Sequence, residues 1–139
     1  MPDKPSSAIV SAITKDIKVS VYVQFIQLDS SEEKLKYIWA YRIKIENLGA
    51  KTVQLMQRHW QIIDELGIST KISGNGVIGL NPVIEPGENF EYTSGTYLNA
   101  PSGVMFGKYE MRCDDDGSIF NVEIPPFSLD SPYSKLHLI

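Results

Sequence analysis

The 139-residue chain carries one cysteine, Cys113, and two histidines, His59 and His137. A lone thiol excludes an intrachain disulfide, and without paired C-x-x-C spacings there is no structural zinc ribbon, so a reducing, cytoplasmic setting is expected. Neither histidine has a partner four residues away, and a tetrahedral metal site would need ligands from distant residues. No stretch approaches the roughly 20 apolar residues that span a bilayer. The start, Met1-Pro2-Asp3-Lys4-Pro5, has neither the basic opening nor the apolar run of a signal peptide, which predicts no membrane insertion. Positive charge is also scarce. Thirteen Lys and Arg against 17 Asp and Glu leave a net charge of −4, and the basic residues are scattered instead of striped, so no nucleic-acid footprint is present. Missing too is any window with convincing helical periodicity over three turns.

What the chain has in abundance is period-two alternation. Ile17, Val19, Val21, Val23 and Phe25 share one face, with Lys18, Ser20, Tyr22 and Gln24 on the other, the pattern of a half-buried strand. Tyr37, Trp39, Tyr41, Ile43 and Ile45 repeat it until Asn47-Leu48-Gly49 turns the chain. Thr52 to Gln57 puts Val53 and Leu55 together, and Arg58 to Asp64 puts Trp60 and Ile62 together. The phase slips between Leu55 and Trp60, which predicts either a bulge or a strand crossing between sheets. Glu65-Leu66-Gly67 then turns into Ile68 to Ser73, and after Pro86-Gly87-Glu88 the residues Phe90, Tyr92, Ser94 and Thr96 alternate with Glu91 and Thr93. Last comes a hairpin of Met105 to Cys113 and Ile119 to Ile124 around Asp114-Asp115-Asp116-Gly117, with Pro125-Pro126 expected to end it.

About seven or eight short strands with turn signals between them predict an all-β, antiparallel β-sandwich of the fibronectin-type-III or immunoglobulin-like class, with a closed barrel as runner-up. One cysteine cannot supply the immunoglobulin Cys-Trp-Cys signature, so fibronectin type III is the nearer analogue. Residues 1–15 are expected to be a flexible extension and residues 16–139 a single domain.

Gly74-Asn75-Gly76-Val77-Ile78-Gly79 spells G-x-G-x-x-G. In a dinucleotide-binding turn the third glycine opens a helix whose N-terminus holds a pyrophosphate. Here Pro82 and Pro86 forbid that helix. Two readings stay open: a nest of backbone N–H groups at Gly74, Gly76 and Gly79 that binds an anion, or a loop that needs positive φ. Arg58-His59-Trp60 divides similarly. Arg58 and His59 could serve an anion site, or Trp60 packs in the core under a covering Arg58 stem while His59 faces out.

Asp114-Asp115-Asp116-Gly117 resembles the start of a calcium loop, with Asp114 and Asp116 as weak metal candidates. The obligatory glycine position falls on Ile119 and the closing glutamate on Pro125, so a solvated turn is the better interpretation. No nucleophile is visibly activated: neither Cys113, in an inward position of its strand, nor the Ser94 region has a sequence-local histidine or carboxylate arrangement that signals activation. The chain is therefore expected not to be an enzyme and to require no cofactor.

Several of these segments together resemble the ApaG family: Tyr41 to Gly49, Val53-Gln54-Leu55, Arg58-His59-Trp60, the glycine run, Pro86-Gly87-Glu88, Tyr92-Thr93-Ser94-Gly95, Met105 to Met111 and the ending around Leu136-His137. The departures are the opening fifteen or so residues and Leu80-Asn81, where many relatives carry an acidic or amide pair. The resemblance implies a fibronectin-III-like fold and a free-standing bacterial protein, similar to domains that act as interaction modules in eukaryotic F-box and polymerase-interacting proteins. It also brings a family label, cobalt and magnesium resistance or efflux, which the ligand spacing does not support. Two functions follow as expectations: a non-catalytic module that binds a protein partner, or pairs as a homodimer, through strand edges or an apolar patch; or a sensor that binds nucleotide polyphosphate, with or without a divalent ion, at Gly74 to Gly79 with Arg58 or His59.

Overall fold

Alternation becomes burial wherever a strand lays one face on a second sheet, and the computed structural model, which describes residues 9–134, shows that outcome along most of the chain. Nine strands form in order: β1 Ile9–Thr14, β2 Ile17–Phe25, β3 Tyr37–Asn47, β4 Val53–Asp64, β5 Ser69–Asn75, β6 Val83–Ile84, β7 Asn89–Leu98, β8 Gly103–Cys113 and β9 Ile119–Leu129. One sheet runs β1-β2-β3-β7; the other runs β5-β4-β8-β9, with β6 beside β4. All pairings are antiparallel. The chain changes sheet after β3, β6 and β7, which makes a sandwich and excludes the closed barrel.

The count exceeds the expected seven or eight because two short strands were not anticipated. β1 lies inside the stretch read as an extension, paired with β2 from Ile9↔Tyr22 to Thr14↔Ile17. Its alternation is muted because Val10, Ala12 and Thr14 are only half-buried and the opposite face exposes Ile9 and Ile13. β6 is two residues long, below what periodicity can detect. The two segments read between Thr52 and Asp64 are one strand, with a bulge and not a crossing at the phase slip. Pro125-Pro126 does not end β9. The register shifts between Met105↔Phe127 and Gly107↔Ile124, and the strand bulges past the proline pair on the outer side of its sheet, where a missing donor is tolerated.

Between the sheets lie Val19, Val21, Ile43, Ile45, Leu55, Met111, Val122 and Ile124, all buried, with an aromatic cluster at one end. There Trp60 meets Tyr41, Phe127 and Tyr109 at centroid distances of 5.6, 6.0 and 6.5 Å. Each such buried side chain contributes about 1.5–3 kcal/mol. The hydroxyls of Tyr92 on β7 and Tyr109 on β8 hydrogen-bond to each other across the sheets. Burial is the main reason both phenols ionise above the ordinary value of 10.0.

The folded state thus holds these two protons more tightly than the unfolded chain does. Their contribution to stability is fully present below about pH 10 and is lost as pH rises through the higher folded-state values. Urea denaturation is expected to show a midpoint that falls above about pH 10, less steeply in the Tyr92→Phe/Tyr109→Phe double variant, which removes both ionisations. An equal slope in the two proteins would remove the tyrosine pair as the cause.

Candidate functional site

One extra residue in β4 organises the glycine run. Leu55 pairs with Met111 and Gln57 with Glu110, so Met56 is the bulge. Below it β4 pairs with β6, and above it with β5, leaving residues 76–82 to fill the gap on the same edge. Gly76 N–H donates to the Met56 carbonyl at 2.9 Å, and the Asn81 amide donates to Met56 O at 3.1 Å and Leu55 O at 3.2 Å. Leu55 N–H in turn donates to Pro82 O at 3.0 Å. The loop tip is a two-residue turn. Val77 and Leu80 exchange N–H···O bonds of 2.9 and 2.8 Å around Ile78 and Gly79, whose φ values of +43° and +78° have the signs of a type I′ turn.

Each glycine has a local reason. At Gly76, φ is +63° and a Cβ would stand 2.1 Å from Leu80 O; at Gly74 a Cβ would stand 2.7 Å from the Arg58 guanidinium carbon. The N–H groups of Gly76, Val77 and Leu80 all donate to carbonyls of the protein, so they are not aimed at a ligand. No helix follows Gly79.

Arg58 belongs to this loop. Its Nη1 donates to Asn75 O at 3.1 Å and Gly76 O at 2.8 Å, as the guanidinium lies over Gly74. Beside it a cavity of about 180 Å³ is lined by Tyr41, Trp60, Val77, Ile78, Tyr92 and Ser94. Burial raises the Tyr41 phenol, against the lowering pull of the Ser94 hydrogen bond and of Arg58. Sequence reasoning did not group Tyr41, Tyr92 and Ser94 with Arg58, because they come from β3 and β7 of the opposite sheet; no local spacing encodes that contact.

His59 is not part of this arrangement. It follows Arg58 on β4 and so projects from the other face, where its Nδ1 lies 2.8 Å from Ser73 Oγ. This is a serine–histidine pair, and among the described residues no carboxylate accepts from the second ring nitrogen as a catalytic triad requires. His137 lies outside the described residues.

The acidic turn is self-contained. Asp114 pairs with Arg112 at 3.2 Å, Asp115 with Lys51 at 3.8 Å, and Asp116 accepts from Ser118 N at 2.9 Å and Ser118 Oγ at 2.7 Å. Those two Ser118 bonds, the side-chain one foremost, hold the Asp116 carboxyl down at about 2. No group of three or more His, Cys, Asp or Glu side chains among the described residues could hold a metal ion. No helix among them is long and apolar enough to cross a membrane.

Comparison with known proteins points one way. The family model described as the ApaG domain matches residues 27–113. The chain is 49% identical over 128 residues to Protein ApaG of Paramagnetospirillum magneticum, covering 92% of this chain and 98% of that one. It is 48% identical over 125 residues to Protein ApaG of Parvibaculum lavamentivorans, covering 90% and 95%. The crystal structure of the putative ApaA protein from Bordetella pertussis superposes with a TM-score of 0.81 at 37% identity, covering 86% of this chain and 96% of that one.

The two turn glycines are expected to respond differently to alanine. Gly79→Ala meets open space and only the backbone penalty, about 1–2 kcal/mol. Gly76→Ala adds a collision with a backbone oxygen and is expected to cost more, upwards of about 3 kcal/mol. Chemical denaturation of both variants checks the order, and equal losses would contradict the close approach at Gly76.

Proposed function

We infer that this chain, which belongs to the ApaG family, is a non-catalytic β-sandwich that recognises a protein partner by adding an extended segment to the free edge of β7. The observation that carries this is the condition of the sheet edges. β1 and β9 sit against each other, with Glu123 N–H donating to Thr14 Oγ1 at 3.1 Å. β5 carries Lys71 and runs into the glycine loop. β7 is ten residues long, pairs with β3 alone among the described strands, contains neither lysine nor proline, and carries a single charge, Glu91. Proteins ordinarily blunt an edge of that length with charge, proline or a bulge. An edge with so little protection is what strand addition uses: main-chain bonds supply affinity and pockets for alternate side chains supply specificity.

Such a pocket stands beside β7. Tyr92 and Ser94, on its inward face, line the 180 Å³ cavity with Arg58 and Ile78. The guanidinium carries five N–H donors and uses one nitrogen on the loop carbonyls, so an acceptor side chain of the added strand suits the cavity. A homodimer would use the same edge. The buried free thiol of Cys113 fits a cytoplasmic setting.

The alternative, nucleotide polyphosphate at Gly74 to Gly79 with or without magnesium or cobalt, has the remaining Arg58 donors in its favour and the spent loop N–H groups against it.

Selection of displayed extended peptides against the protein, followed by amide exchange, tests the reading. Slowed exchange at 89–98 in the peptide complex is expected, with binding at least about tenfold weaker in Thr93→Lys/Tyr97→Lys, which places two ammonium groups along the edge. Protection confined to another surface would overturn the β7 reading, and calorimetric heat with ATP and magnesium that Arg58→Ala abolishes would favour the competing one.

A further inference from the structure

An open groove of about 660 Å³ has no part in the β7 edge or the glycine loop. It lies on the outer face of the five-stranded sheet, and cross-strand register places its polar lining in rows. Ser73, His59, Lys108 and Glu123 stand opposite one another on β5, β4, β8 and β9. Lys71, Gln61 and Phe106 form the adjacent row. The inward neighbours Trp60, Tyr109 and Val122 fix this orientation, since a strand alternates its faces.

Three features bear on what could bind. First, neither the Lys71 nor the Lys108 ammonium group makes an ion pair or hydrogen bond among the described residues, in a chain whose net charge is −4. Second, the Ser73 bond to Nδ1 fixes the imidazole of His59 and leaves Nε2 available. Third, Phe106 is half-buried and offers a ring at the cavity wall, while Glu123 and Asn121 lie at the β9 end. The volume lies within the roughly 300–1,000 Å³ of small-molecule sites, which are apolar with a few convergent polar groups.

We propose that this outer-face groove binds a small phosphate monoester. The phosphate sits between Lys71, His59 and Lys108, whose two ammonium groups match its two negative charges. The organic body lies along Phe106, with Glu123 and Asn121 accepting from and donating to its hydroxyl or amino groups. An anion placed the other way round would meet the Glu123 carboxylate, so the charge pattern also sets polarity.

Heteronuclear NMR titration of the full chain tests this with inorganic phosphate, a hexose phosphate, a nucleoside monophosphate and the uncharged hexose as separate probes. The expected result is saturable shifts centred on His59, Lys71, Ser73 and Lys108 with at least one monoester and none with the uncharged hexose. Which monoester binds distinguishes a sugar from a nucleoside body. Lys71→Ala/Lys108→Ala changes two exposed side chains and is expected to leave the melting temperature in place while weakening binding by at least about tenfold. His59→Gln should weaken it less. No saturable shift with any phosphate, shifts centred on residues 74–80, or unaltered affinity in the double lysine variant would each overturn the proposal.

Discussion

A single unpaired residue in the middle of a strand, Met56, sets the geometry on which the rest of this sandwich depends. A strand of period two that places Leu55 inward cannot also place Trp60 inward unless one residue is inserted without a partner. The insertion has a cost in kind: it turns a carbonyl out of the β8 ladder, and a backbone acceptor so exposed must be satisfied. Gly76 and Asn81 supply the donors. The glycine run is therefore the complement of the bulge, held between β5 and β6 as a filler on the edge of β4, and its sequence follows from that duty. Gly74 admits the Arg58 guanidinium, Gly76 admits the Leu80 carbonyl, and Gly79 completes a turn that requires positive φ.

The same phase change sorts two adjacent basic residues to opposite sides of one sheet. Arg58 turns inward to the rim between sheets, where β3 and β7 bring tyrosines, and His59 turns outward beside Ser73 and Lys108. A composite site drawn from Arg58, His59 and the glycines is thus divided by the sheet itself. What remains on each side differs in chemistry. The inner rim is narrow, half-buried and rich in donors beside an open strand edge, which suits a polypeptide. The outer face is broad, with ammonium groups that have no partner among the described residues, which suits a small anion.

Legibility in the sequence followed the range of the interactions. Alternation from Ile17 to Phe25 and from Tyr37 to Ile45 reads directly as strands because each residue's fate depends only on its immediate neighbours. The phase slip at Leu55 to Trp60 was visible, but choosing bulge over crossing required knowing that β8 pairs with both halves of β4. Pro125-Pro126 misled for the opposite reason: a local rule ends strands at proline, and the tertiary setting of an outer strand with a bulge suspends it. Asn81, noted only as a departure from its relatives, proved to be the amide that closes the bulge. Neither the inner cavity nor the outer groove could be read, since each joins residues of three or more strands.

Ile78 sharpens the case for contact at the β7 side. A turn with positive φ at its first central position favours glycine, asparagine or aspartate, because a β-branched side chain there collides with its own backbone at a cost of about 1–2 kcal/mol. Ile78 occupies that position at φ +43° and gains little from burial, being 55% exposed. Neither turn geometry nor core packing accounts for its presence. Its side chain lies instead at the mouth of the cavity shared with Tyr92 and Ser94, where a strand added to β7 would bring one of its own side chains. Strain held at an exposed position is accounted for when another molecule supplies the missing contact, and here the strained residue and the open β7 edge lie together.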